Sequence, residues 1–357
     1  MTFQITDLAA YGWNSFFTSQ LETEDFGVSV PVRVIAVHRG AIGIAGPGID
    51  TSIPPYRSDP DDTETGATVG DWLLVDPETH RPRRLLERKS AFKRRAAGTG
   101  RDVQLIAANV DTLFIVTSCN QDFNVARLER YLALALNAQV MPVIVLTKAD
   151  LCDWPDDFVN QAYGLQSVQM VETLNALDAG EVERLLPWCS NGQTVALVGS
   201  SGVGKSTLIN TLTGISHTDA PIPTQGIRED DAKGRHTTTG RALHRMPSGG
   251  WLIDTPGMRE LQLTDVQNGI DAVFSDIVDL AQSCRFSTCQ HDTEPGCAVT
   301  TAIETGNLEA DRLKRWRKLV REEVYNTESL SKRRSRDKAF GKMVKRVMKD
   351  KQQFNGS

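Results

Sequence analysis

A glycine-rich octapeptide in the middle of the chain has the residue types and spacing of a phosphate-binding loop. It matches the pattern G-x-x-x-x-G-K-[ST] at every position and lies between an apolar run and a helical pattern, which is the context that this motif requires. Small residues let backbone N–H groups approach phosphate oxygens, and the start of a helix adds a favourable dipole. The candidate phosphate-contacting residues are Gly199, Ser200, Ser201, Gly202, Val203, Gly204, Lys205 and Ser206, followed by Thr207.

Charge and metal binding at this loop depend on three side chains and one amide. Lys205 is a catalytic candidate because its ammonium can bridge the β- and γ-phosphates of a nucleotide, while the Ser206 hydroxyl can ligate Mg²⁺. The sequence DTPG follows the strand-like WLI about fifty residues later. Its Asp254 can hold a magnesium-bound water, and the amide of Gly257 can meet the γ-phosphate. Together the two motifs predict a magnesium-dependent nucleotide site.

A polar segment from Thr218 to Gly240 joins these motifs and shows little periodicity. It contains HTTT, whose hydroxyls can complete a Mg²⁺ shell when a γ-phosphate is present, although the sequence does not say which threonine reaches the metal; Thr238 is a candidate nucleotide-binding residue. Three adjacent threonines also suit the start of a strand. We favour a segment that changes conformation with the bound nucleotide.

A base-reading motif precedes the phosphate loop in the chain. TKAD ends the apolar run VMPVIVL, so that Asp150 lies at a strand end. Its carboxylate can accept from N1–H and the 2-amino group of guanine, whereas adenine offers no matching pair of donors. Thr147 belongs to this motif, and the stem of Lys148 can lie along the base. Asn175 and Ala176 stand where GTP-binding proteins often carry Ser-Ala, although Asn in place of Ser weakens that assignment.

Three cysteines and a histidine have the spacing of a structural zinc site. The sequence reads Cys284-x4-Cys289-x-His291-x5-Cys297, a full tetrahedral set that leaves no position open for water. In a reducing compartment such clustering favours metal over disulfide, and the alternative is a set of reduced cysteines beside an unrelated histidine. The other cysteines, Cys119, Cys152 and Cys189, lie in or beside predicted strands and turns, where burial without function is expected.

Length, hydropathy and charge limit the class of protein. The 357 residues suggest two or three domains. No apolar stretch approaches the ~18 to 20 residues of a membrane span, and the first residues lack a basic start followed by an apolar block, so we expect a cytoplasmic protein with no membrane partner. The net charge of −5 divides into +9 for residues 307–357 and −14 for the rest. Only the tail is composed to meet a polyanion.

The elements that must position these residues fall into four regions. Residues 1–28 have the composition of a mobile or loosely docked extension, and 29–105 contain short alternating runs that predict a small antiparallel barrel or a sandwich. Within this region nine basic residues lie between Arg81 and Arg101, as a solvated loop or a nucleic-acid contact. Residues 106–270 alternate strand and helix, which predicts a parallel sheet covered on both faces, and 271–357 are helical around the cysteines.

The order of the motifs, TKAD, GSSGVGKS, HTTT and DTPG, resembles that of circularly permuted GTPases. IAANVDTLFIV, GRHTTT and CRFSTCQHDTEPGCAV narrow the resemblance to the family of ribosome small-subunit-dependent GTPase A (RsgA). It covers roughly residues 10–325. It implies an α/β P-loop GTPase domain that is circularly permuted, an amino-terminal all-β OB-fold barrel and a carboxy-terminal zinc-binding, mainly helical domain.

The same resemblance implies a function. Family members hydrolyse GTP to GDP during late maturation of the 30S ribosomal subunit, and the subunit stimulates them. Expected ligands are GTP or GDP, Mg²⁺ and one structural Zn²⁺, and expected partners are the 30S subunit and its 16S rRNA. The basic helices of the tail suit rRNA contact by charge, although they also suit solvated helix faces. The protein is expected to act as a monomer.

His236 is the resemblance-based candidate for positioning the attacking water, with a structural role in the switch as the alternative. A need for such a residue follows from Met258, which comes after DTPG where Ras-like enzymes carry a catalytic Gln and which cannot orient water by hydrogen bonding.

Two other functions compete with this hypothesis. One is a nucleotide-regulated RNA-binding scaffold without significant turnover, against which intact Lys205, Ser206 and Asp254 argue. The other is an ATP-dependent enzyme acting on a small molecule, which TKAD disfavours.

Overall fold

The computed structural model describes most of the chain. Among the residues described, no helix combines the length and the hydropathy needed to cross a bilayer. The described residues are 5–38, 40–59, 62–95, 103–214, 241–254, 258, 261 and 263–327.

The amino-terminal third of the chain forms an antiparallel sheet preceded by two short helices. Its strands run in the order β3-β2-β1-β4-β5, and β6 and β7 form a separate hairpin. Inward-facing Val32, Ile44 and Leu73 form its apolar core. This arrangement is consistent with the OB-fold barrel expected over 29–105. The elements are α1 Ile5–Ala9, α2 Ser15–Thr18, β1 Val30–Val37, β2 Ile42–Gly46, β3 Ile49–Ile53, β4 Trp72–Val75, β5 Pro82–Leu85, β6 Ala91–Arg95 and β7 Val103–Ala108.

The middle of the chain forms the predicted parallel sheet. Strands in the order β10-β9-β8-β11-β13 all pair in parallel, and β12 joins antiparallel to β13 as the predicted hairpin. β8 and β11 are buried along their whole length, as a sheet covered on both faces requires. The elements are β8 Thr112–Ser118, α3 Val125–Asn137, β9 Met141–Thr147, α4 Pro155–Tyr163, β10 Val171–Thr173, α5 Ala179–Val182, β11 Thr194–Val198, α6 Lys205–Thr213, β12 Arg241–Arg245 and β13 Trp251–Asp254.

The antiparallel sheet of the amino-terminal third and the parallel sheet of the middle are joined through β1 and β12. β1 pairs with β12 in antiparallel register, with Ala36 opposite Ala242, so that eleven strands form a continuous sheet. Arg33 of β1 is buried beneath this junction, and its guanidinium donates to Thr194 Oγ1 at 2.7 Å and to the Tyr11 carbonyl. Burial lowers the pKa of Arg33 to about 10, although the charges of nearby aspartates act to raise it.

The expectation of a mobile or loosely docked amino-terminal extension is wrong for residues 8–17, whereas residues 22–24 and 26–28 are exposed. Trp13 and Phe17 are buried, and the Trp13 ring meets Trp72 of β4 edge-on at 4.9 Å between centroids. At the other side, the Trp251 indole N–H of β13 donates to the Ala10 carbonyl at 2.9 Å. Aromatic burial on this scale holds the segment against both sheets, because each such ring removes 150–250 Å² from water.

The carboxy-terminal region is helical and packs on α3. Gly269 of α7 lies so close to α3 that a Cβ there would be 2.0 Å from the Ala133 carbonyl oxygen. The first predicted tail helix is present as 310–327, and the second, in the chain after Thr327, lies outside the described residues. The elements are α7 Gln267–Val273, α8 Ser275–Gln282, α9 Ala298–Glu304 and α10, residues 310–327.

Candidate nucleotide and metal sites

The glycine loop connects the end of β11 to the start of α6. Gly199 has φ +146°, and a Cβ there would lie 2.1 Å from the Val116 carbonyl oxygen, so only glycine fits. Gly204 precedes the helix with φ +92°. Ser201 and Gly202 are exposed at the loop's tip, whereas Val203 is fully buried below it. The loop is therefore an exposed arc of backbone fixed at both ends.

Lys205, the first residue of α6, curls back into the loop. Its ammonium donates to the Gly199 carbonyl at 2.8 Å and to the Ser200 carbonyl, and the residue is 6% exposed. Ser206 follows in the first turn of the helix and is half-buried, with Thr207 beside it. The loop thus surrounds a positive charge at the amino-terminal end of a helix, the electrostatics that an anion needs.

The base-reading motif lies directly against the glycine loop. Thr147 ends β9 and is fully buried, and its hydroxyl lies 2.6 Å from the Val203 carbonyl oxygen as a donor. Lys148 follows in the left-handed region with φ +57°, and Asp150 is exposed in the next turn. Two motifs that are 56 residues apart at this contact therefore share one edge of the sheet.

Asn175 and Ala176 lie in the neighbouring loop, after β10. The Ala176 carbonyl accepts from Thr211 Oγ1 of α6 at 2.9 Å, which ties this loop to the helix that follows the glycine loop. Asn175 Oδ1 accepts from the Leu177 N–H at 2.9 Å, and the Asn175 N–H donates to Glu181 at 2.7 Å. Asn in place of Ser thus closes the turn with its own side chain.

The remaining predicted nucleotide residues are described only in part. Asp254 ends β13, and the parallel register that sets Ala196 opposite Ile253 brings its backbone to the edge that carries the glycine loop. The side chain of Asp254, together with His236, Thr238 and Gly257, lies outside the described residues. Met258 is described and is buried in the apolar core, with 1% exposure.

The four predicted zinc ligands converge. The candidate ligand atoms of Cys284, Cys289, His291 and Cys297 all lie within 4.8 Å of one another. His291 Nδ1 is 3.5 Å from the Sγ atoms of both Cys284 and Cys297. Three thiolates and an imidazole at these separations fit a tetrahedral Zn²⁺.

Neighbouring elements hold the zinc ligands in place. Cys297 caps α9, and its Sγ accepts from the Thr300 N–H at 3.4 Å. Burial acts to raise the pKa of Cys297, but hydrogen bonds from Thr300 and His291 outweigh it and lower the pKa to about 6, which favours the thiolate that a metal needs. Arg317 of α10 donates to the Gln290 carbonyl at 3.0 Å and thereby supports the loop.

The basic stretch between Arg81 and Arg101 is largely neutralised within the protein. Five of its nine cationic residues form ion pairs in the described part of the chain. Arg88, for example, binds the fully buried Asp71 through two nitrogens at 2.8 and 2.9 Å. Much of this charge therefore stabilises the barrel. The five are Arg83, Arg84, Arg88, Lys89 and Lys93.

One contact at the glycine loop has no counterpart in the motifs. Arg127, in the first turn of α3, donates from Nη1 to Ser200 Oγ at 2.8 Å and to the Asp122 carbonyl at 3.2 Å. No pattern signalled this contact, because it joins residues 73 apart through the packing of α3 beside the loop.

Comparison with protein families and with named proteins gives one consistent match. The family model described as RsgA GTPase matches residues 85–264. The chain is 53% identical over 322 residues to small ribosomal subunit biogenesis GTPase RsgA of Mesorhizobium japonicum, covering 90% of this chain and 91% of that protein. It is 49% identical over 344 residues to small ribosomal subunit biogenesis GTPase RsgA 2 of Vibrio parahaemolyticus, covering 96% and 93%.

Two solved structures have a similar fold. YjeQ from Thermotoga maritima aligns with a TM-score of 0.58 at 21% identity, covering 82% of this chain and 97% of that one. YloQ, whose structure is described as a circularly permuted GTPase, aligns with a TM-score of 0.55 at 22% identity, covering 85% and 97%. The fold expected from the order of the motifs is thereby confirmed.

Proposed function

The chain belongs to the RsgA GTPase family of GTP-hydrolysing enzymes, and from this membership we propose that it is a late assembly factor of the small ribosomal subunit. In this proposal it binds the 30S subunit through 16S rRNA, acts in the cytoplasm as a monomer, and hydrolyses GTP faster when the subunit is bound.

The observation that carries the nucleotide site is the contact between Thr147 and Val203. It holds the base-reading motif and the phosphate loop at one sheet edge, with 2.6 Å between the Thr147 hydroxyl and the Val203 carbonyl oxygen. The carboxyl edge of a parallel sheet is where α/β proteins bind nucleotides. A base at Asp150 and phosphates at Lys205 then belong to a single ligand.

In the proposed site each part of GTP meets a different element. Asp150 accepts the two guanine donors, Lys148 lies along the base, and the Asn175–Ala176 loop borders the guanine oxygen. The amides from Gly199 to Thr207 and the Lys205 ammonium hold the phosphates, and Gly257 approaches the γ-phosphate. Ser206 and, through a water, Asp254 would hold Mg²⁺, with a threonine hydroxyl of the HTTT motif completing the shell and Thr238 bordering the nucleotide. When bound, Mg²⁺ neutralises charge on the β- and γ-phosphate oxygens.

Hydrolysis in this site is a matter of positioning and charge. Water attacks the γ-phosphorus in line, the bond to the β–γ bridging oxygen breaks, and GDP leaves with the pair of electrons. Lys205 and the loop amides stabilise the charge that develops. Met258 is buried and offers no hydrogen bond to water, so another group must position it, and membership of the family makes His236 the candidate. An enzyme without a fixed water-orienting Gln should be slow until a partner completes the arrangement that positions the attacking water.

The carboxy-terminal region supplies a docking element in this proposal. Cys284, Cys289, His291 and Cys297 would hold one structural Zn²⁺, and Arg317 ties the loop that carries them to α10. A surplus of nine positive charges follows in residues 307–357, and cations that meet rRNA phosphates release counterions. Binding to the subunit should therefore weaken steeply with salt.

The test is GTP turnover by the full chain alone, with purified 30S subunits, and with 50S subunits as the control. We expect slow turnover alone, a large acceleration by 30S and little change with 50S. Equal rates in the three conditions would refute dependence on the small subunit. Absence of multiple-turnover phosphate release in all three would instead favour the nucleotide-regulated scaffold.

A further inference from the structure

We propose that Arg127 is a positioning residue for the nucleotide's phosphates, which makes the pocket favour a nucleoside triphosphate over a diphosphate. The inference rests on the proposed nucleotide site and adds to it a cation that lies outside every nucleotide-binding motif. Its basis is the 2.8 Å hydrogen bond from Arg127 Nη1 to Ser200 Oγ, the second residue of the loop.

Arg127 and Lys205 both donate to Ser200, the second residue of the loop. The Lys205 ammonium donates to the carbonyl of Ser200, while Arg127 donates to its hydroxyl. Ser200 is half-buried and lies between the rigid Gly199 and the exposed tip at Ser201. The side chain of Ser200 is therefore the point at which α3 fixes the first half of the loop.

The backbone of Arg127 is fixed by a cap. Asn124 Oδ1 accepts from the Arg127 N–H at 2.9 Å, so the residue is held in the first turn of α3. The guanidinium also donates to the Asp122 carbonyl at 3.2 Å, which limits its rotation. A donor fixed in this way loses little entropy when a ligand arrives.

The rest of α3 is anchored to the carboxy-terminal helix α10 by ion pairs. Glu129 is fully buried and pairs with Arg315 of α10 at 2.7 Å and with Arg312 at 3.1 Å. Arg130, one turn after Arg127, pairs with Glu322 at 2.6 Å. Because α3 is clamped by these pairs, Arg127 is a fixed point against which the loop is held.

The expected consequence is selectivity between nucleotides. A γ-phosphate adds negative charge at the loop, and a fixed cation one hydroxyl away stabilises that charge more than the charge of a diphosphate. A merely structural arginine would affect both nucleotides alike.

The experiment measures affinity of the full chain for a non-hydrolysable GTP analogue and for GDP, together with kcat and KM for GTP without subunits. The variants are Arg127→Ala, Arg127→Lys, Ser200→Ala and the Arg127→Ala/Ser200→Ala double. Arg83→Ala, which removes an exposed arginine of the barrel, is the matched control. Thermal unfolding checks that each variant folds. If Arg127→Ala does not fold, the milder variants Arg127→Lys and Ser200→Ala still test the inference.

We expect Arg127→Ala to weaken binding of the GTP analogue by roughly 3- to 30-fold and binding of GDP by less than about threefold, the range for one partly exposed charged hydrogen bond. The affinity of Arg127→Lys for the GTP analogue should lie between those of the wild type and Arg127→Ala, because lysine keeps the charge but lacks the planar guanidinium fork. The double variant should lose no more than Arg127→Ala alone, since both changes remove one contact.

The inference would be overturned by equal losses of affinity for both nucleotides, by no loss, or by additive losses in the double variant. In each of these cases, GTP turnover by the wild-type chain would still support the proposed function. A wild-type chain that binds neither nucleotide would overturn the proposed site as well.

Discussion

At the scale of single residues, Asp150 is the side chain on which base selectivity depends. It is exposed in the turn that follows β9, whose last five residues are buried, so its carboxylate is open to a ligand at a well-anchored sheet edge. Asp150→Asn should lower GTP affinity by about 10- to 100-fold, the cost of charged hydrogen bonds to guanine, and should create a preference for xanthine nucleotides, whose base offers the complementary pattern.

Competition between GTP, ATP and XTP for the site measures this change. Asp153→Asn is the control, because Asp153 is an exposed aspartate three residues further on. Retention of guanine preference by Asp150→Asn would show that TKAD does not read the base.

The metal ligands give a second prediction at this scale. Cys297 is 1% exposed, and its Sγ accepts a hydrogen bond from the Thr300 N–H and contacts His291 Nδ1. Cys297→Ser should therefore remove a metal ligand that its surroundings hold in place. We expect the bound zinc to fall from about one per chain to less than about 0.1, with an earlier thermal transition, because a structural zinc contributes directly to folding. Elemental analysis after dialysis measures the bound zinc. Cys152 lies outside the cluster, so the control variant Cys152→Ser should keep its zinc. Full zinc retention by Cys297→Ser would contradict the proposed ligand set.

The sequence was most informative where function lies in residue type. TKAD, GSSGVGKS and the cysteine spacing predicted which side chains matter, because guanine, phosphate and zinc each require particular donors. Arg127 was not predictable in this way. Its contact with Ser200 is set by how α3 packs, and an arginine at the start of a helix has no distinctive pattern.

At the scale of elements, α3 joins the GTPase sheet to the carboxy-terminal helices. Glu129 of α3 has no exposure and lies between Arg312 and Arg315, while Arg312 also pairs with Asp276 of α8 at 2.6 Å. Glu129→Ala should lower the free energy of unfolding by about 3–5 kcal/mol, because it removes the fully buried carboxylate that pairs with both the buried Arg312 and the half-buried Arg315.

Denaturant unfolding followed by circular dichroism measures this loss. Asp311→Ala is the matched control, since the Asp311–Lys314 pair is exposed and such pairs contribute about 0–1 kcal/mol. A loss at Glu129 no larger than that at Asp311 would show that the buried cluster does not hold α10 on α3.

Element prediction succeeded where periodicity was strong and failed where partners are distant. The pattern NVARLERYLALALNAQ gave α3 nearly to its ends, since a capped amphipathic helix is a local property. SVQMVET predicted a longer strand than Val171–Thr173, because β10 is an edge strand with one neighbour. The amino-terminal segment was misjudged because Trp13 finds its partner in Trp72, 59 residues away, which composition cannot show.

At the scale of the whole molecule, circular permutation gives each end of the GTPase a different neighbour. The strand after HTTT, β12, pairs with β1 of the barrel, whereas the chain after β13 continues into α7 and the zinc region. Because α3 also clamps α10, the zinc region is fixed to the GTPase core and not only to the segment after DTPG. The nucleotide site therefore has a direct path to the barrel through β12.

Arg241 provides a side-chain contact between β12 and the amino-terminal region. It is the first residue of β12, directly after the switch segment, and its guanidinium donates to the Leu105 carbonyl of β7 and lies 3.5 Å from Thr68 Oγ1. If a subunit bound to the barrel acts on the nucleotide site through this link, Arg241→Ala should reduce 30S-stimulated turnover by roughly tenfold and leave turnover of the isolated protein within about twofold. Arg245→Ala, at the far end of the same strand, should change neither rate. A parallel fall in both rates for Arg241→Ala would indicate damage to the fold, and unchanged stimulation would show that the subunit reaches the switch without the barrel.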